Sequence, residues 1–215
     1  MKLRILLYKS KLGDGHWIDD AISAWTAIFN WGTGAYSHAE MWEPDESGRF
    51  GHVVFDCDAE CVTSLSKDGT LSATYTLPIY HYAAYGTTYT STMRGDINGN
   101  VCRPAREVLT HPERWDYVEI EVADLLFEYA KAKADKRVAN NKGYSKKDLA
   151  RFFMPLWTLK LLGLYDKDKQ ICSEEVALWL FDMYVFGDFD PLISPRRLSR
   201  KLVKRGYKIK KLKGA

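Results

Sequence analysis

No apolar run in this sequence reaches the roughly 18 residues that a membrane-crossing helix needs. The opening segment, MKLRILLYKSKLGDG, has a basic flank but an apolar stretch of only about four residues, against the about 7–15 of a secretory signal. These residues are expected to form a strand, in a chain made and kept in a cytoplasm unless another device exports it. Cysteine is scarce and scattered, at positions 57, 61, 102 and 172. No second close Cys or His pair follows Cys57 and Cys61 at zinc-finger spacing, so free thiols in a reducing compartment are the simplest reading. There is no glycine-rich phosphate loop, no His-Glu-x-x-His and no dinucleotide fingerprint, so no cofactor and no metal is called for. Acid is missing from the end of the chain: Arg196 to Ala215 holds ten Lys or Arg and no Asp or Glu. The net charge of +3 therefore conceals an acidic remainder. The basic segment suits a solvated cationic helix and strand, or contact with an anionic partner such as nucleic acid, lipid or wall polymer.

What is present is an ordinary globular composition, 46% apolar and 27% charged, in a chain of 215 residues. That length supports one domain with a substantial core. Aromatic residues reach 13%, enough to build a core and to line a cleft. Leu3 to Tyr8 reads as a strand. Ile18, Ile22, Trp25 and Phe29 fall at helical spacing, which predicts a helix over Trp17 to Trp31, ended by Gly32 and Gly34. Tyr36 to Trp42 and Phe50 to Cys57 read as two strands joined by the polar turn Glu43 to Gly48, an antiparallel hairpin. Residues 60 to 120 read as mostly β and loop. Helices are expected over Val122 to Val138 and, kinked at Pro155, over Ser145 to Leu162. Strong helix formers with acids in the first turn follow Cys172. Ser194 and Pro195 read as an N-cap and first helical position, opening a basic helix to about Lys204. With no repeat, linker or low-complexity stretch, the sequence predicts one α+β domain.

Cys172 stands at an expected helix N-terminus, where backbone N–H groups and the helix dipole favour a thiolate. A thiolate nucleophile needs a base and proton shuttle, and histidine is the natural one near neutral pH. The chain offers five, at 16, 38, 52, 81 and 111. A lone cysteine is more commonly a small buried core residue.

Four short motifs lift Cys172 above that reading. Tyr36-Ser37-His38-Ala39-Glu40-Met41-Trp42 resembles the Ser-His-x-Glu/Gly-apolar strand of circularly permuted NlpC-type cysteine hydrolases. Gly143-Tyr144-Ser145-Lys146-Lys147-Asp148 is similar to their Gly-x-x-Tyr-Asp segment, with a shortened spacing. Ile171-Cys172-Ser173-Glu174-Glu175-Val176 resembles their Cys-Ser-Glu-x-Val helix start, and Ile193-Ser194-Pro195-Arg196-Arg197-Leu198 their Ser-Pro-x-x-Leu ending. The order His, Tyr, Cys is the permuted one. The resemblance implies a permuted papain-like fold, an antiparallel sheet packed against helices, in a single domain over residues 1–215. It implies Cys172 as nucleophile, His38 as base, and Tyr144 as a hydroxyl near the oxyanion.

The residue that orients His38 is left open. Asp56 fits as the polar residue on the strand after the His strand. Glu40 lies two residues from His38, so the two share a strand face. His52 could serve as the second histidine does in the lecithin:retinol acyltransferase group. Thr90 to Asp96 resembles a strand of phage-like members. In that frame residues 44–86 are a β-rich insertion and the orienting position falls near Ser91.

The resemblance implies amide-bond cleavage through an acyl-enzyme, of a peptide, an isopeptide or a peptidoglycan stem peptide. Lipid acyltransferases and thioesterases share the fold and form one alternative. A catalytically idle binding protein using the basic C-terminus forms another. The phage-like likeness implies a chain in a host cytoplasm or virion, meeting the wall after lysis, through a holin or in a particle.

Overall fold

The segment Lys2–Lys9 (β1) alternates Leu3, Ile5 and Leu7 with Arg4, Leu6 and Tyr8, and Leu3, Ile5, Leu6 and Leu7 are all fully buried. Apolar burial on both faces marks a central strand with a layer on each side. In the computed structural model β1 pairs antiparallel with Tyr36–Glu43 (β2) on one edge and Trp115–Glu121 (β9) on the other. The structure describes residues 1–9, 36–56, 61–65, 71–76, 79–93, 97–141, 143–144, 170–191 and 193–212. For those of them between residues 52 and 82 it describes the backbone alone. The helices expected over 17–31 and 145–162 lie outside the described residues.

The sheet is completed by Thr87–Thr92 (β7), Gly99–Pro104 (β8) and Ile209–Lys211 (β10), in the order β10-β9-β1-β2-β7-β8 and antiparallel throughout. Among the described residues the α-helices are the short Ala105–Val108 (α1), then Asp124–Ala139 (α2), Cys172–Asp182 (α3) and Pro195–Lys204 (α4). One face of the sheet buries Leu3, Ile5, Leu7 and Met41 against Phe127 and Ala130 of α2, Trp179 and Leu180 of α3, and Leu198 and Leu202 of α4. The opposite face gathers Leu6, Trp42, Phe50, Leu109 and Trp115 into a second core. Each fully buried Leu, Ile, Met or Phe among them contributes about 1.5–3 kcal/mol by leaving water. The chain is thus a mixed α+β protein with an antiparallel sheet and packed helices.

The expected hairpin between β2 and the next strand does not form. Gly51–Asp56 (β3) pairs with Ile79–Ala84 (β6), and Cys61–Leu65 (β4) with Leu71–Thr76 (β5), as two separate two-stranded sheets. Both edges of β2 are already occupied, by β1 and β7, so it has no ladder left for β3. The chain leaves β2 through a turn held by Asp45, whose Oδ1 accepts from Ser47 N at 3.0 Å and Arg49 N at 2.8 Å. It returns at Gly86, where φ is +76° and a Cβ would meet the Glu43 carbonyl. Only glycine allows that approach.

The local signals at α4 are realised as expected. Ser194 Oγ accepts from Arg197 N at 3.3 Å, Pro195 is the first helical residue, and the helix runs to Lys204. Among the described residues no helix is long and apolar enough to cross a membrane.

Candidate active site

The β2–β7 ladder covers only Met41 to Glu43 opposite Thr87 to Tyr89. Beyond it, α3 packs across both strands. Ser91 Oγ on β7 donates to Gln170 O at 2.9 Å, which ties the segment just before α3 to the strand. This brings Cys172, the first residue of α3, beside His38 on β2, close enough for the sulfur to act electrostatically on the imidazole. Both are buried, with His38 8% and Cys172 1% exposed.

Glu40 completes a line of three. Its Oε1 lies 3.0 Å from His38 Nε2 and its side chain is wholly buried. With Nε2 committed to a carboxylate, Nδ1 is the ring nitrogen left for the thiol. The period-two geometry of a strand produces this pair, since His38 and Glu40 project on one side of β2. Arg103 on β8 donates from Nη2 to the same Oε1 at 2.7 Å. Thr90 Oγ1 donates to Ala39 O at 3.0 Å and lies 3.4 Å from His38 Nε2. The Trp115 ring presents an edge contact to the imidazole at 6.3 Å between centroids.

Burial alone would depress the His38 pKa. The electrostatic influence of the neighbouring Cys172, together with the hydrogen bond and charge of Glu40, outweighs it and carries His38 up to about 9. Burial alone would raise Glu40. Its bonds and charge interactions with His38 and Arg103 win, and hold it at about 2. The linkage signs follow. His38, raised from 6.5, contributes stability that is full below about 6.5 and lost as pH climbs through 9. Glu40, lowered from 4.5, contributes stability present above about 4.5 and lost as pH falls toward 2. The stability difference between wild type and a His38→Asn/Glu40→Gln variant is therefore expected to peak between about pH 4.5 and 6.5 and to shrink on both sides. Urea titrations across pH 3–10 measure it, and a difference that keeps growing through pH 9 contradicts the assignment.

The other candidates fall elsewhere. Asp56 and His52 are on β3, which pairs with β6 and not with the His38 strand, and their side chains lie outside the described residues. Ser91 is committed to Gln170 O, and its neighbour Thr90 faces His38 instead, because adjacent residues on a strand point to opposite sides. Tyr144 is buried and forms an isolated parallel bridge to Gln170, two residues before Cys172. Its backbone N donates to Asn98 Oδ1 at 2.9 Å. Asn141 Oδ1 accepts from Asn100 N and Gly143 N, both at 3.0 Å, so one side chain fastens the start of β8 to the Tyr144 segment.

Each motif residue after Cys172 has a structural task. Ser173 Oγ donates to Ile193 O at 2.6 Å and so couples the α3 start to the Ser194-Pro195 segment. Glu174 Oε2 accepts from Ile171 N at 2.9 Å, which satisfies a free donor ahead of the helix. Glu175 takes a fork from Arg137 of α2, with Nε and Nη2 both 2.9 Å from its oxygens. Arg103, Thr90, Gln170 and Arg137 were missed by sequence reasoning. Alternation in Gly99–Pro104 puts Val101 and Arg103 on one side of a strand, but no local signal ties an arginine to a glutamate 63 residues away.

Part of the basic C-terminal charge is used within the protein. Lys201 pairs with Asp188 at 3.0 Å, Arg197 lies 3.8 Å from Asp190, and Lys210 lies 3.9 Å from Glu119. Among the described residues no cluster of three or more His, Cys, Asp or Glu is placed to hold a metal ion. Comparisons of the chain with protein-family models, curated proteins and solved structures found no match.

Proposed function

We propose that the chain is a cysteine hydrolase with a circularly permuted papain-like, NlpC-type fold, cleaving an amide in a peptide, an isopeptide or a peptidoglycan stem peptide. The observation that carries the reading is the buried line Cys172–His38–Glu40, with the cysteine at a helix N-terminus and the histidine held on a strand. Further support comes from the Ser173–Ile193 bond, which links two of the four motif segments.

In this reading the Cys172 thiolate attacks the carbonyl carbon, forming a C–S bond and a tetrahedral oxyanion. The backbone N–H of Cys172 and the Tyr144 hydroxyl serve that oxyanion. Collapse breaks the C–N bond, and the His38 imidazolium gives its proton to the leaving amine. Neutral His38 then takes a proton from water as the water attacks the thioester. The carboxylic product leaves, and thiolate and imidazolium are restored. Glu40 stabilises the imidazolium and keeps Nδ1 toward sulfur.

Competitive alkylation tests the reading. Cys102 is a free cysteine on an exposed residue, and partial burial pushes its thiol up in pKa, so it serves as an internal reference. Iodoacetamide at pH 6 is expected to modify Cys172 faster than Cys102, as mapped by peptide mass spectrometry. Because Cys172 is buried, labelling reports access as well as reactivity. Peptide and stem-peptide amides then identify the bond cut, with Cys172→Ala as the inactive control. A Cys172 modification rate that climbs with pH in parallel with that of Cys102 across pH 5–9, a comparison independent of access, sinks the proposal.

A further inference from the structure

Arg103 stands apart from the expected machinery. It comes from β8, two strands from His38, and reaches the far carboxylate of the line at 2.7 Å. Its side chain is 17% exposed and that of Glu40 is fully buried. The contact uses one atom on each partner: Arg103 Nη2 and Glu40 Oε1. Oε1 is also the atom that meets His38 Nε2, so one oxygen is shared between the guanidinium and the imidazole. Arg103 Nε and Glu40 Oε2 are buried with no partner. Arg137 and Glu175, by contrast, make a fork of two N–H···O bonds, the frequent geometry of arginine–carboxylate pairs. The single-atom geometry instead directs the guanidinium at the oxygen that holds the histidine.

We propose that Arg103 is a positioning residue that acts through Glu40: it holds this interior carboxylate as an anion, with Oε1 aimed at His38 Nε2, so that Nδ1 stays on Cys172. This rests on the cysteine-hydrolase reading. The groups facing the carboxylate and the imidazole come from five elements. They are Arg103 from β8, Cys172 from α3, Thr90 from β7, Trp115 from β9, and Tyr8 of β1 opposite His38. Tyr8 is itself held by Arg114 at 3.0 Å. The ionisable groups acting on Glu40 are His38 and Arg103. Removal of Arg103 leaves a fully buried carboxylate with one cationic partner, and burial then pushes its titration upward. A protonated Glu40 no longer favours the imidazolium, and the thiolate loses its counter-ion.

The test follows the Glu40 carboxyl carbon by NMR across pH 3–9 in wild type, Arg103→Met and Arg103→Lys, with Glu40→Gln assigning the signal. Iodoacetamide selectivity for Cys172 over Cys102 is measured on the same samples. In wild type Glu40 is expected to stay ionised down to the acid end of the range. In Arg103→Met its midpoint is expected to rise by about one pH unit or more. Selectivity is then expected to fall below the new midpoint, about tenfold for each pH unit beneath it. Arg103→Lys keeps the charge and is expected to restore part of both. A merely structural ion pair predicts a lower melting temperature and a moved Glu40 midpoint with Cys172 selectivity unchanged at every pH, a result that also overturns the proposal. An unmoved Glu40 midpoint in Arg103→Met overturns the proposal, as does Arg103→Lys behaving like Arg103→Met. If Arg103→Met does not fold, the Lys comparison against wild type decides alone. A wild-type Cys172 whose modification rate climbs with pH in parallel with that of Cys102 overturns the hydrolase reading instead, whatever Glu40 does.

Discussion

His38→Asn is expected to slow acylation of Cys172 by an activated ester, p-nitrophenyl acetate, by about 10²–10⁴-fold, the usual weight of a positioned proton shuttle. The geometry argues for the large effect. The imidazole is the basic group beside the thiol, and it is itself held by Glu40 at 3.0 Å. Asparagine preserves a polar side chain at the site but cannot carry a proton. The variant also removes the cation that stabilises the thiolate, so its loss is expected to be greatest below neutral pH. Glu40→Gln leaves a proton shuttle in place and is expected to lose less. The release of p-nitrophenolate in a stopped-flow burst measures both, with Cys172→Ala correcting for other nucleophiles. Equal burst rates for wild type and His38→Asn eliminate His38 as the base.

The largest expected loss of stability comes from Arg137→Met. Arg137 of α2 makes a fork to Glu175 and reaches Asp182 at 3.3 Å, both on α3, and the Glu175 side chain is only 2% exposed. Breaking a buried pair from one side leaves an uncompensated charge in the interior, at a cost of about 3–5 kcal/mol. That is a large share of the about 5–15 kcal/mol by which domains are stable. The pH dependence identifies the cause. Burial already raises the Glu175 pKa, and Arg137 is what opposes it. Without Arg137 the carboxyl takes up a proton more readily, so the loss is expected to shrink as pH falls from 7 toward 4. Urea unfolding of Arg137→Met and of Arg137→Met/Glu175→Gln separates the terms, and the double variant is expected to recover part of the loss. A single-variant loss under about 1 kcal/mol at pH 7 contradicts the account. The pair matters for the site because α3 presents Cys172 from its first turn, and Arg137 clamps that helix to α2.

Local chemistry was legible along the chain. The apolar run of β1, the acidic first turn after Cys172 and the Ser194-Pro195 cap all depend on neighbours within a few residues, and each appears where the sequence places it. Glu40 belongs with them, because two residues apart on a strand is a local relation that survives any choice of pairing. Asp56 rested on a pairing assumption. Consecutive strands were expected to form a hairpin, whereas β2 pairs with β1 and β7.

By itself, then, the sequence determined an α+β chain with a cysteine opening one helix and a histidine and glutamate side by side on one strand. The tertiary structure decided what meets across that chain. It sets α3 where the β2–β7 ladder ends, gives Glu40 an arginine from β8, and hands Glu175 to Arg137. The physical reason is the range of the forces. Helix periods, caps and strand alternation act over a few residues and leave a pattern in sequence. Strand order and buried ion pairs join residues tens of positions apart, and they are selected only when the whole sheet and its helices close around one core.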